Sequence, residues 1–159
     1  AVLQECAAAW NRTFSGWTAG ADCLLAEGIT CDAEGMVDSM SIGILNLNGT
    51  IPTSISNLTA LNYFDPSMNH FYGPIPSVIS RLSLLANLNL GDTRISGPIP
   101  STIGALKNLQ TLTLTNTSIS GSIPSIISAL SSLTYFDVSN TRLSGTIPGT
   151  IGQLANLVY

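Results

Sequence analysis

Along most of the chain, apolar residues return at fixed distances from a glycine. Gly49, Gly73, Gly97, Gly121 and Gly145 stand 24 residues apart. Two positions after each comes an Ile-Pro pair, from Ile51-Pro52 to Ile147-Pro148. Isoleucine follows at Ile55, Ile79, Ile103, Ile127 and Ile151, then leucine at Leu58, Leu82, Leu106, Leu130 and Leu154. A last column is Leu61, Leu85, Leu109, Leu133 and Leu157. Upstream of each glycine runs a short alternating stretch, clearest in Leu88-Asn89-Leu90 and Leu112-Thr113-Leu114. Alternation of this kind puts the apolar residues on one face of a strand and the residues between them on the other.

Each repeat therefore reads as one strand, a turn at the glycine, and a return segment opening with Ile-Pro. Proline suits the first turn of a short helix, where its missing N–H is not required. One such coil cannot bury its apolar side alone, so the coils stack into a solenoid around a continuous core. The pattern predicts a parallel sheet of five strands, roughly 20–25 Å along the stack at about 4.8 Å per strand.

The run from Leu106 to Pro124 reads Leu-x-x-Leu-x-x-Leu-x-Leu-x-x-Thr-x-Ile-Ser-Gly-x-Ile-Pro with small drifts. It resembles the plant-type leucine-rich repeat, and the resemblance covers roughly residues 36 to 159. It implies an α/β solenoid in a right-handed superhelix, with a parallel concave β-sheet and short helical or 3-10 segments on the convex side. It also implies a domain plan of a helical, disulfide-bonded cap over 1–35 and five 24-residue repeats plus the start of a sixth over 36–159. That plan is expected to have no carboxy-terminal cap. The family's buried ladder position, four before the glycine, is usually Asn. Here it holds Leu45, Asn69, Thr93, Thr117 and Thr141, and threonine offers one donor where asparagine offers two.

Residues 1–35 lack the period. Val2, Leu3, Cys6 and Trp10 recur at helical spacing, which predicts a short amphipathic helix. Trp17, Cys23, Gly28 and Cys31 resemble the family's cap motif, and that resemblance implies a Cys23–Cys31 disulfide, in keeping with secreted small caps. Two buried thiols are the alternative. The family's tryptophan between the two cysteines is absent, replaced within Leu24-Leu25-Ala26-Glu27. Cys6 is left over, either buried on the helix or paired outside the chain.

Charge narrows the function. With 5 Lys+Arg against 9 Asp+Glu, the net charge is -4. The basic residues are scattered, which argues against a nucleic-acid partner and against an anionic membrane surface. No apolar run approaches the 18 or so residues of a membrane span. The start lacks the basic and apolar regions of a signal peptide, so a secreted protein would be represented in processed form. Four N-glycosylation sequons, at Asn11, Asn48, Asn57 and Asn116, join the cysteines and the acidic, Ser/Thr-rich surface in pointing to a secreted or extracellular protein carrying N-linked glycans.

Function is expected on the outward side of the strands. Ten and eight residues before each glycine stand Ser39 and Ser41, Tyr63 and Asp65, Asn87 and Asn89, Thr111 and Thr113, Tyr135 and Asp137. Five before are Ile44, Met68, Asp92, Asn116 and Asn140. Tyrosine is a favoured interface anchor. Tyr63, Asp65, Asn87, Asn89, Asp92, Thr111, Thr113, Tyr135 and Asp137 are therefore the candidate contacts for an extracellular protein, peptide or glycan. Ordinary solvated strand positions are the alternative. By the family resemblance, which takes in receptor-like kinase ectodomains and polygalacturonase-inhibiting proteins, the partner is a wall-degrading enzyme, a peptide signal or a co-receptor.

Nothing in the sequence assembles a catalytic centre. Asp65 and Asp137 lie three coils apart, His70 has no evident nucleophilic partner, and the cysteines have no metal-ligand spacing. No cofactor is implied. Two other roles stay on the list. Self-association through the carboxy-terminal end would cover core leucines there. Ice binding would use the cluster Thr111, Thr113 and Thr115, but the column eight before each glycine reads Ser, Asp, Asn, Thr, Asp and breaks the array.

Overall fold

The computed structural model describes residues 2–14 and 26–159; Trp17 and Cys23, with the bridge expected at Cys23, lie outside the described residues. The order of elements is α1 (Val2–Ala9), β1 (Ile29–Cys31) and β2 (Val37–Ser41), then pairs of short strands separated by 3-10 turns. The pairs are β3 (Asn48–Gly49), β4 (Tyr63–Asp65) and β5 (His70–Gly73), β6 (Asn87–Asn89) and β7 (Arg94–Gly97), β8 (Thr111–Thr113) and β9 (Ser118–Gly121), β10 (Tyr135–Asp137) and β11 (Arg142–Leu143).

Two sheets result. The first runs β1-β2-β4-β6-β8-β10 and the second β11-β9-β7-β5-β3. In the first, β2 onward are parallel and pair residues 24 apart, such as Ser39 with Tyr63 and Asn87 with Thr111, so equivalent positions of successive coils stand side by side. β1 differs, pairing antiparallel with β2 through Ile29 and Met40.

The second sheet corrects the sequence reading. Where the pattern reads a turn at the glycine, His70, Arg94, Ser118 and Arg142 open short strands, and Gly49, Gly73, Gly97 and Gly121 each end a strand rather than forming the turn itself. The pairing offset here is 22 residues, as in Tyr72 with Arg94 and Ser96 with Ser118. Four of the five repeat glycines have φ between +79° and +85°, a backbone that costs glycine little and other residues much.

The return segments are 3-10 turns at Thr53–Asn57, Ser77–Arg81, Ser101–Ala105, Ser125–Ala129 and Gly149–Gln153, each preceded by the repeat proline, which is extended in the first four. Between sheets and turns lies one core. Ile55, Ile79, Ile103 and Ile127 are fully buried, as are Leu82, Leu85, Leu88, Leu106, Leu109 and Leu112. Each contributes about 2–3 kcal/mol relative to an exposed side chain.

The ladder position behaves as the donor count demands. Asn69 accepts from Leu45 N at 3.1 Å and Leu47 N at 2.8 Å, and donates to Ile42 O at 2.8 Å, all in the preceding coil. It also donates to Pro66 O and Ser67 O within its own coil. Thr93 and Thr117 stay within their own coils, each donating to a carbonyl three residues back at 2.7 Å. Asparagine thus ties two coils together where threonine only closes one.

At the amino-terminal end, α1 lies against the 3-10 turn Thr53–Asn57. Trp10 is buried there, its indole N–H donating to Thr50 O at 3.0 Å and its ring meeting Phe71 edge-on at 5.2 Å. Arg12 bonds Leu45 O, lies over the Phe14 ring at 5.3 Å and pairs with Glu27 at 3.7 Å. Cys31 is disulfide-bonded. Cys6 is a buried free thiol on α1, and burial, with a smaller push from Glu5, raises its pKa from 9.0 to about 12.

Because the neutral thiol is the form the fold accommodates, its share of stability is complete below pH 9 and is lost as pH rises from about 9 toward 12. Iodoacetamide at pH 8 should therefore leave Cys6 unmodified in the native protein and label it after denaturation, as read by mass spectrometry of the Cys6 peptide. Labelling of the native protein at the rate of a free peptide thiol would contradict this packing. Among the described residues no helix is long and apolar enough to cross a membrane.

Candidate functional site

The open face of the first sheet is built by alternation. Phe64, Leu88, Leu112 and Phe136 turn inward, so their neighbours on both sides turn outward. The register then lines up Ser39, Tyr63, Asn87, Thr111 and Tyr135 in one row. Asp65, Asn89, Thr113 and Asp137 form the next. Tyr63 and Tyr135 are three strands apart, roughly 14 Å by strand spacing.

The row does not stop at Tyr135. Tyr159, a further 24 residues on, stacks on Tyr135 with ring centroids 4.7 Å apart and planes 12° from parallel. The period alone could have placed Tyr159 in this row; it was missed because nothing marked it as chemistry.

The polar groups are tied down in advance. Asp65 accepts from the Tyr63 hydroxyl at 3.2 Å, from Asn89 Nδ2 at 3.2 Å and from Ser67 N at 3.0 Å. Asp137 accepts from Ser139 N at 2.9 Å. Partial desolvation first, then the Asp65 carboxylate, pushes the Tyr63 hydroxyl above its usual pKa; the same causes, with Asp137 and Tyr159 in place of Asp65, act on Tyr135. Phenols are protonated at neutral pH in any case, so the shift leaves both tyrosines as donors there.

Asp92 lies one step outside these rows, in a left-handed turn beyond β6 with φ +54°. Its carboxylate accepts from Asn116 Nδ2 at 2.8 Å, and Asn116 Oδ1 accepts from Asn140 Nδ2 at 2.8 Å. Asn116, Asn140, Met68 and Ile44 all share the left-handed backbone. Asparagine and aspartate tolerate it by local side-chain bonding. For a methionine and a β-branched isoleucine it is unusual, a feature the sequence rows did not announce.

No basic residue joins this face. Arg94 and Arg142 open strands of the second sheet, Arg81 ends a 3-10 turn, Lys107 reaches the Ala129 carbonyl, and Arg12 belongs to the α1 end. Among the described residues no group of three or more His, Cys, Asp or Glu side chains is placed to hold a metal ion. What remains is an extended, hydrogen-bonding, acidic surface with aromatic rings at two places.

The comparisons with known proteins agree with this architecture. The Leucine Rich Repeat family model matches residues 108–130 and 132–154. A chain of the BIR3–SERK2 complex from Arabidopsis thaliana is 31% identical, with a TM-score of 0.81 over 94% of this chain and 80% of that one. The chain belongs to the plant-type leucine-rich-repeat family.

Within that family, PEPR1 in the PEPR1–AtPEP1 structure superposes with a TM-score of 0.88 at 29% identity over 99% of this chain. The plant peptide hormone receptor RGFR1, solved in complex with RGF2, is 38% identical over 70% of it with a TM-score of 0.70. This leucine-rich-repeat chain spans only 18% of the RGFR1 chain and 23% of the PEPR1 chain. No curated protein sequence matches it significantly.

Proposed function

We propose that this chain is an extracellular, non-catalytic recognition module whose concave sheet binds a protein or peptide. The observation that carries the reading is the segregation of chemistry on the first sheet. Tyrosines and fixed carboxylates share one open face, and every lysine and arginine sits elsewhere. Such a face presents apolar area, hydrogen-bond acceptors and negative potential to an incoming donor-rich partner. Peptide-bound receptors among the similar structures support it.

The test replaces both aromatic anchors. A partner captured by the wild-type chain should bind Tyr63→Ala/Tyr135→Ala at least roughly thirtyfold more weakly, the size of a hot-spot loss. Binding unchanged by the double replacement would end the reading.

Extracellular life also predicts glycan placement. Asn48 and Asn57 are exposed, on a strand of the second sheet and at the end of a 3-10 turn. At Asn116 the nitrogen that would carry a glycan already donates to Asp92, and a glycan there would stand beside the concave face. Glycopeptide mass spectrometry of secreted protein should find Asn48 and Asn57 occupied more fully than Asn116. Equal occupancy at all three sites would contradict the placement. Cys23 pairing with Cys31 belongs to the same proposal.

A further inference from the structure

We propose that Ile44 and Met68 form an apolar step at the edge of the concave face that receives an extended segment of a partner polypeptide, one carrying an apolar side chain next to a lysine or arginine. The inference rests on the concave-face reading above and narrows it to the amino-terminal coils.

Ile44 and Met68 occupy the same place in successive coils, held there by Ile44 N to Ser67 O at 3.2 Å and Met68 N to Gly91 O at 3.0 Å. Their backbones are left-handed, with φ of +61° and +54°. Their side chains are 72% and 54% exposed. Nothing in the core requires either residue, since neither is buried. The later coils show the unstrained solution, with Asp92, Asn116 and Asn140 in the same column linked by their own side chains. Strain retained in order to expose apolar surface is the mark of a contact made with something else.

The neighbouring column shapes the receiving groove. It holds Gly43, Ser67 and Gly91, so its floor is low. A Cβ on Gly43 would stand 3.5 Å from Ser67 Oγ and 3.8 Å from Asp65 Oδ1, and one on Gly91 3.2 Å from Asn89 Oδ1. With no Cβ at Gly43 or Gly91, neither glycine puts a side chain over Asp65 or Asn89, and the Thr115 methyl borders the column at its far end.

Asp92 stands in the same column, one coil beyond Met68. Neither Asp65 nor Asp92 is in an ion pair among the described residues. An apolar side chain set on Ile44 and Met68 therefore brings the next residue of an extended segment to two carboxylates, and a cation complements them.

The test is a display library of random linear nonapeptides panned on the immobilised chain, with selected peptides measured on variants. The pair Ile44→Asn/Met68→Asn suits the purpose, because asparagine favours the left-handed backbone and neither side chain belongs to the buried core. The expected result is enrichment of an apolar residue beside Lys or Arg, at least tenfold weaker binding to the double variant, and a thermal midpoint unchanged or raised.

Selected peptides that bind the double variant as well as wild type overturn the inference. If those peptides lose binding to Tyr63→Ala/Tyr135→Ala, the concave-face reading survives alone; if they ignore both pairs of replacements, both fall. Failure to select any peptide also overturns the inference.

Discussion

Asn69→Ala is expected to destabilise the fold by about 4 kcal/mol, since removing a buried group's only partners costs about 1–3 kcal/mol for each group stranded. Asn69 is 4% exposed, and its amide satisfies Leu45 N, Leu47 N and Ile42 O of the preceding coil. Alanine leaves those groups without a partner, Leu47 N and Ile42 O at buried positions and Leu45 N at a half-buried one. At about 2–4 °C per kcal/mol for a chain of this size, the thermal midpoint should fall by roughly 10 °C.

Asn69→Thr is the informative companion. Thr93 shows what a hydroxyl can do in this slot, which is to bond a carbonyl three residues back. Threonine should restore the bond to Pro66 O and nothing in the coil before, so most of the loss should remain. Calorimetry on the three proteins decides it. A threonine variant as stable as wild type would mean that the inter-coil bonds contribute little.

The second large effect is expected at Gly49. Its φ is +152°, and a Cβ there would run into the Ala9 carbonyl oxygen and come within 3.3 Å of the Trp10 ring. Backbone is met on the α1 side, so the helix must move rather than a side chain. Gly49→Ala should therefore lift α1 from the first coil. That would break the Trp10–Thr50 bond and the edge-on contact with Phe71.

Loss of such an aromatic anchor costs about 3–5 kcal/mol. Because the change is local, its clearest readout is Cys6 on the same helix. Even about 3 kcal/mol makes opening roughly 100-fold more frequent, so iodoacetamide should now label Cys6 in otherwise folded protein. Protection equal to wild type would show that the helix adapts to the extra methyl.

How much of this was legible beforehand varies with the physics of each feature. The core columns and the concave rows were readable because a stacked coil buries the same positions every time, leaving Ile79, Ile103 and Ile127 no freedom to vary. The helix at Val2–Ala9 was readable from four apolar residues at helical spacing. The second sheet was not, because its strands are two to four residues long and four of the five end in glycine, so His70-Phe71-Tyr72-Gly73 looks like a turn.

The left-handed column was half visible, in Asp92, Asn116 and Asn140. Ile44 and Met68 concealed it, being residues that avoid that backbone. Asn69 was recognised as a ladder residue, but its reach into the coil before depends on a geometry that no residue count reveals.

The two sheets also differ in how they would record evolutionary change. On the concave face, compensating substitutions should couple positions 24 apart, as the repeat alignment suggests. On the second sheet, physical neighbours are 22 apart: Tyr72 lies beside Arg94 and Ser120 beside Arg142. Covariation there should cut diagonally across the repeats. A duplicated coil would extend the concave rows without a seam, yet it would set every second-sheet side chain against a neighbour two positions out of step with the alignment.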